Sequence, residues 1–301
     1  MTKEDIESEA RVVSDLCQKG KCLFVVEVIK HAWFPRNSLY YYIDMEYCQL
    51  TLESYIHRSG RSDSAPSLAK LPTQDVAHSS GTITNLRMKY EINTSTDLDM
   101  EIDWRAVVSI VDDIARALVY VHSEGTVHRD LKPRNGTSGP SRLLIVVLYS
   151  EKDRCWKLAD FGTASKATSK RLNTTSYSRG TAGYRAPEIL DMTAPKFNNK
   201  ADIFAFGCII YEIVTGQKLF WDDFAIITYA ASGVVSSTIM WPEAAGETEH
   251  KIASLEKLVA SLLELDALKR PNASNIRNEL FRIRLNEIDE TEPMTGIPIQ
   301  V

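Results

Sequence analysis

His128-Arg129-Asp130-Leu131-Lys132-Pro133-Arg134-Asn135 is the stretch on which the reading of this chain turns. It places a carboxylate, an ammonium two residues on and a carboxamide five residues on within one short segment. Upstream of it, Val107, Ile110, Val111, Ile114, Ala117, Leu118 and Val121 recur at helical spacing, from Trp104 to just before Gly125. The stretch therefore lies in the loop after a long amphipathic helix. From a tight loop the three groups can converge on one point. Asp130 can accept a hydroxyl proton, Lys132 can neutralise a transferring phosphoryl group, and the Asn135 amide oxygen can hold a metal ion. Farther on, Asp160-Phe161-Gly162 follows an apolar strand. It adds a second carboxylate and a glycine at which the backbone can turn. Oxygen ligands of this kind, few and shared with phosphate, suit Mg²⁺ rather than zinc.

Working outward, the first residues read as a helix, with Thr2 as N-cap and Ile6, Val12, Val13 and Leu16 as its apolar stripe, ending near Gly20. Two β-rich runs follow, Cys22 to Ile29 and Leu39 to Glu46, around the turn residues Pro35 to Ser38, and Leu50 to Ile56 reads as a short helix. Between 58 and 103 the composition is that of a low-complexity surface insertion. After the long helix, strands at Ile145 to Tyr149 and Trp156 to Ala159 flank the polar turn Glu151 to Arg154, and a Ser/Thr-rich loop runs to Pro187. Asp202 to Thr215 is apolar on nearly every side, which predicts a centrally buried helix stopped by Gly216. Further helices are expected over His250 to Leu265 and Ala273 to Leu285, and a flexible tail over 287–301.

Composition excludes several classes. The 301 residues carry 35 Lys+Arg against 40 Asp+Glu, a net charge of −5, so no basic footprint for nucleic acid is expected. The longest apolar runs, Leu143 to Tyr149 and Ile203 to Tyr211, are far too short to span a bilayer, and no membrane partner is expected. The polar start Met1-Thr2-Lys3-Glu4-Asp5 does not read as a signal peptide. Five scattered cysteines (Cys17, Cys22, Cys48, Cys155, Cys208) without a CxxC pair point to reduced thiols. Together these give the expectation of an intracellular protein, cytoplasmic or nuclear.

With HRDLKPRN, DFG and Ala186-Pro187-Glu188 in order, the chain resembles the eukaryotic protein kinase superfamily. The resemblance implies an α+β kinase-like fold. Residues 1–57 would form a partial small β-rich lobe and hinge, and 104–286 a mainly helical large lobe. It implies ATP and Mg²⁺ as cofactors and a protein substrate. By the same resemblance Asp130 would be the catalytic base, Lys132 the γ-phosphate contact, and Asn135 and Asp160 the metal ligands. Met45-Glu46-Tyr47-Cys48 resembles gatekeeper and hinge, whose backbone at Glu46 and Cys48 would hydrogen-bond adenine. Glu9 matches the glutamate of the small-lobe helix. Glu188 would pair with Arg270, Asp202 would brace the catalytic loop, and His128 would stack with Phe161 beside Gly162. Arg129 resembles the arginine that meets a phosphorylated activation segment, here with candidates Thr174, Thr175, Ser176, Tyr177 and Ser178. Lys132 and Thr181, in Gly180-Thr181-Ala182-Gly183-Tyr184, resemble serine/threonine rather than tyrosine kinases.

Two departures qualify what is expected. Residues 1–301 contain no Gly-rich phosphate loop, and Lys3, six positions before Glu9, cannot be a strand lysine pairing with it. An N-terminally truncated small lobe with weak or absent activity is therefore expected, with a pseudokinase acting as a binding or regulatory module as the alternative. In addition, Gly136 to Val146 separates Asn135 from the strand that the resemblance places directly after it.

Overall fold

The computed structural model describes residues 10, 13–18, 20–34, 41–58, 103–133, 146–168, 173–174, 180–191, 196–232, 241–242 and 247–289. Glu9, Asn135, the body of the expected insertion (59–102) and residues 175–179 lie outside them, as do the side chain of Thr174 and the tail from 290.

The smaller, β-rich part starts with a helical segment at Ala10 and Val13–Leu16. It continues as the antiparallel pair β1 (Val28–Trp33) and β2 (Tyr41–Met45), in which Val28 faces Met45 and Trp33 faces Tyr41. The first strand thus lies later than Cys22 to Ile29. From Cys22 to Glu27 the chain crosses to the second sheet instead: Val26 N–H donates to Leu158 O at 2.8 Å, and Leu158 N–H to Phe24 O at 2.8 Å. An apolar run cannot reveal whether its partner is the neighbouring strand or one more than a hundred residues away.

The second sheet has the order β3 (Leu50–Thr51), β5 (Val147–Ser150), β6 (Cys155–Leu158), with Leu50 opposite Tyr149 and Val147 opposite Leu158. Leu50 and Thr51 are therefore strand, and helix α1 is Leu52–Arg58. Its start is capped by Thr51, whose Oγ1 accepts the Ser54 N–H at 3.0 Å. Two short pairs complete the strands, β4 (Thr126–Val127) with β7 (Ser165–Lys166) and β8 (Asn173–Thr174) with β9 (Lys196–Phe197).

Helix α2 (Trp104–Ser123) begins at the N-cap Asp103, whose Oδ1 accepts Ala106 N–H at 3.0 Å. Its expected stripe is buried, with Ile110, Val111, Ala117, Leu118 and Val121 at zero exposure. Asp113, on its other face, accepts the Trp156 N–H at 3.0 Å and so ties β6 to the helix. Helix α3 (Lys200–Thr215) is enclosed along almost its whole length and ends on Gly216 at φ 69°, a conformation that glycine adopts without strain. It begins two residues before Asp202. At Gly207 a side-chain carbon would sit 3.1 Å from Leu262 Cβ, so this glycine permits the close packing of α3 on α5 (Glu247–Leu262). Helix α4 (Asp223–Ser232) is absent from the sequence expectations, although Asp222 Oδ1 caps it by accepting Ala225 N–H at 2.9 Å. Helix α6 (Ala273–Asp289) packs on α2 and runs past the expected boundary at 286. The result is the expected α+β architecture, a small β-rich part beside a helical body centred on α3. Among the described residues no helix is long and apolar enough to cross a membrane.

Candidate active site

The loop between β4 and residue 133 is held from below by one carboxylate. Asp202, on the first turn of α3 and 1% exposed, accepts the backbone N–H of His128 through Oδ2 and that of Arg129 through Oδ1, each at 2.8 Å. His122 Nε2, from the last turn of α2, completes the set at 2.9 Å from Oδ2. Burial works against charge on Asp202. The hydrogen bond and field of His122, with His128, outweigh it and hold the carboxyl below its ordinary range. The bracing fixes Arg129 at φ 70°, a left-handed conformation that a non-glycine residue keeps only where its surroundings dictate it.

That bend delivers the next residues to one point. Lys132 Nζ donates to Asp130 Oδ2 at 2.7 Å and to Thr181 Oγ1 at 2.6 Å, while Thr181 Oγ1 donates to Asp130 Oδ1 at 2.6 Å. The three side chains close a ring in which both Asp130 oxygens are engaged and the carboxylate has one orientation. Lys132, 7% exposed, is shielded from water, so its charge acts at low screening.

The Asp160 loop docks onto the same support. His128, fully buried, sits with Nε2 2.8 Å from Ala159 O, and its ring lies 4.8 Å from that of Phe161. Thr163 Oγ1 donates to His128 O at 2.9 Å, and Arg129 Nε donates to Thr163 O at 2.5 Å. Asp160 is itself left-handed at φ 59°. Burial above all pushes its carboxyl above the usual carboxylate range. Asp130 adds to that shift, while His128, Lys132 and the Gly162 N–H oppose it. A side-chain carbon at Gly162 would come within 3.4 Å of Asp160 Oδ1, so glycine keeps that oxygen accessible.

These donors fit a hard divalent cation. A poorly solvated carboxylate, destabilised by a second one nearby, is relieved by positive charge. Among the described residues no group of three or more His, Cys, Asp or Glu side chains could hold a metal. A divalent cation bound at Asp160 would complete its shell from phosphate and water.

Glu46 and Cys48 lie in the connection between β2 and β3. Glu46 N–H donates to Glu27 O at 2.9 Å and Gln49 N–H to Tyr149 O at 3.0 Å. Between these two anchors, among the described residues, no hydrogen bond engages the Glu46 carbonyl or either backbone group of Cys48. An alternating acceptor and donor on one connecting segment suits the edge of a purine. Burial, then the charge of Glu46, pushes the Cys48 thiol up to about 12, so it stays a neutral thiol.

Away from the cleft, Arg270 is 1% exposed and grips Glu188 with both arms, Nη1 to Oε1 at 2.7 Å and Nη2 to Oε2 at 2.8 Å. Its remaining donors meet Glu264 O at 2.7 Å and Lys200 O at 3.0 Å. Two neighbouring ties have no counterpart in the sequence reading: Arg185 pairs with Asp223, and Tyr184 donates to Glu212 at 2.5 Å. Their residues are far apart in the chain and form no recognisable spacing.

Compared with known proteins, residues 80–281, more than half of the chain, match the protein kinase domain. The chain is 30% identical over 189 residues to a probable serine/threonine-protein kinase of Dictyostelium discoideum, covering 59% of this chain and 15% of that protein. It is 28% identical over 183 residues to a serine/threonine-protein kinase of Saccharomyces cerevisiae, covering 60% and 11%. Against the proto-oncogene serine/threonine-protein kinase mos of Mus musculus the figures are 28% over 181 residues, 57% and 46%. The chain thus spans less than half the length of each of these relatives.

Proposed function

The chain belongs to the protein kinase family and is by family a serine/threonine kinase, and from that premise we propose that it transfers the γ-phosphoryl group of ATP to a serine or threonine hydroxyl of a protein. The observation that carries the reading is the closed ring of Asp130, Lys132 and Thr181. Asp130, oriented by two donors, accepts the proton of the substrate hydroxyl as its oxygen bonds to the γ-phosphorus. The bond from that phosphorus to the β–γ bridging oxygen breaks, and ADP leaves with the electron pair. Lys132 places a shielded positive charge beside the transferring group, and Thr181 keeps Asp130 from rotating away. Such transfer depends on positioning and charge rather than on covalent chemistry from the protein. Asp160, with Asn135, would hold Mg²⁺, which when bound neutralises phosphate charge. The backbone at Glu46 and Cys48 would receive adenine.

The test is transfer of labelled γ-phosphate from ATP to a panel of Ser- and Thr-containing peptides. Asp130→Asn should abolish transfer while leaving nucleotide binding in place. Equal transfer by the wild type and Asp130→Asn would overturn the reading.

A second reading is a module that binds partners on the helical body without transfer. It expects partner binding that is indifferent to Asp130→Asn.

A further inference from the structure

Lys157 has no part in the chemistry above, yet it is a buried cation in a telling place. It lies on β6, three residues before Asp160, and is 4% exposed. Its Nζ donates to Glu46 Oε1 at 2.7 Å and to Asp153 Oδ2 at 2.5 Å. The same Glu46 oxygen accepts the Glu27 N–H at 2.8 Å, while Asp153 accepts Ser150 Oγ at 3.2 Å. One ammonium thus joins three separate pieces of chain: the β2–β3 connection, the β5–β6 turn, and the strand that ends in the Asp160 loop.

The network matches the needs of a ligand that touches both ends of that strand. The far end of the β2–β3 connection is already tied by main-chain geometry, Gln49 N–H to Tyr149 O at 3.0 Å, and by Glu151 N–H to Gln49 Oε1 at 2.9 Å. At the near end, Glu46 is tied to the β5–β6 hairpin through Lys157. Between the two ties stand, among the described residues, the unengaged Glu46 carbonyl and the unengaged backbone groups of Cys48. We propose that Lys157 is a positioning residue for nucleotide: it holds the purine-facing backbone at a set offset from Asp160, so that one strand registers both the base and the phosphate end of the same ligand. The proposal rests on the kinase reading. It adds a residue that touches neither base nor phosphate and acts only through Glu46. Two carboxylates around one buried ammonium hold that charge in place. Burial alone would favour the neutral amine, but the bonds to Asp153 and Glu46 outweigh it. Preorganising a binding strand raises affinity by removing the ordering that binding would otherwise require.

The test compares the wild-type chain with Lys157→Met, Lys157→Arg and Glu46→Gln, using titration calorimetry with ATP·Mg²⁺ and with adenosine, steady-state kinetics, and hydrogen exchange of the peptide spanning 44–50. Lys157→Met should weaken both ligands about tenfold or more, raise KM for ATP with kcat changed less than about threefold, and speed exchange across 44–50 without nucleotide. Lys157→Arg should recover most of the affinity, since it keeps the charge. If Lys157→Met does not fold, Glu46→Gln carries the test, with the same direction and a smaller effect. A folded variant with lowered Tm but ligand affinities within twofold of wild type reduces Lys157 to a purely structural role and overturns the proposal. So does exchange across 44–50 that does not change. A wild-type chain that binds neither ATP·Mg²⁺ nor adenosine overturns the kinase reading and the nucleotide role of Lys157 with it.

Discussion

Asp202 stands 74 residues beyond His128, yet its carboxylate accepts the backbone N–H of His128 and of Arg129 at 2.8 Å each. A fully enclosed carboxylate that satisfies two main-chain donors and a histidine is the post on which the catalytic loop is bent.

Asp202→Ala should therefore leave two amides and His122 without their acceptor, destabilising the protein by roughly 3–5 kcal/mol, as the breaking of a buried charged cluster does. The pH dependence has a definite sign. The folded carboxyl lies below its unfolded value, so its stabilisation is present above the unfolded pKa and lost as pH falls through the folded one. Urea unfolding followed down the acid limb should show that loss in the wild type. In Asp202→Asn this component should be missing.

Buried Arg270 and partly buried Glu188 form a second unit, with five acceptors around one guanidinium. Arg270→Ala should cost roughly 3–5 kcal/mol through the stranded Glu188 and carbonyls. Arg270→Lys should recover only part of that, because an ammonium cannot reproduce the two-armed geometry. Thermal unfolding of the three proteins gives the order, and a lysine variant as stable as wild type would contradict it.

Thr181 donates to Asp130 and accepts from Lys132. Thr181→Ala should keep the fold but lower kcat by about 10–100-fold, less than the roughly 10²–10³ for losing a donor to the reacting charge itself, because Thr181 acts through Asp130. Thr181→Ser should restore most of it, since only the hydroxyl is used. Activity of the alanine variant equal to wild type would remove Thr181 from the machinery.

Asp160 predicts an effect opposite to that of Asp202. Its folded pKa is raised, so the neutral form is favoured by folding, and that advantage is lost as pH rises through the folded value. At neutral pH without divalent ions, Asp160→Asn should raise Tm. Adding Mg²⁺ in the presence of ATP should stabilise the wild type by mass action and the variant much less. A differential scanning measurement without Mg²⁺ and with about 10 mM Mg²⁺ checks both halves.

The helices that carry the site were readable because each obeys local rules. The stripe from Val107 to Val121 announces a half-buried helix, and the mostly apolar run from Ile203 to Val214 announces a buried one. Helix α4 obeys local rules as well, with Asp222 as cap followed by Phe224, Ala225, Ile226 and Ile227. The run from Cys22 departs from the expected hairpin because its partner is the distant Leu158 rather than the nearby Tyr41 to Met45.

The order of chemical groups, Asp130 then Lys132 then Asp160, together with Thr181, Glu188, Asp202 and Arg270, stands in the sequence itself, because spacing along a chain survives without coordinates. Which of these groups meet does not. Thr181 reaches Asp130 across 51 residues, and Lys157 reaches Glu46 across 111. Nothing local distinguishes Lys157 from any polar residue of a strand. Its burial and its second carboxylate partner, Glu46, exist only once the β5–β6 hairpin has closed against the segment after β2. Local periodicity sets which elements form, since it depends on neighbours a few residues away. The electrostatics of the site depend on charges brought together through low-dielectric surroundings, and folding alone supplies both the proximity and the exclusion of water.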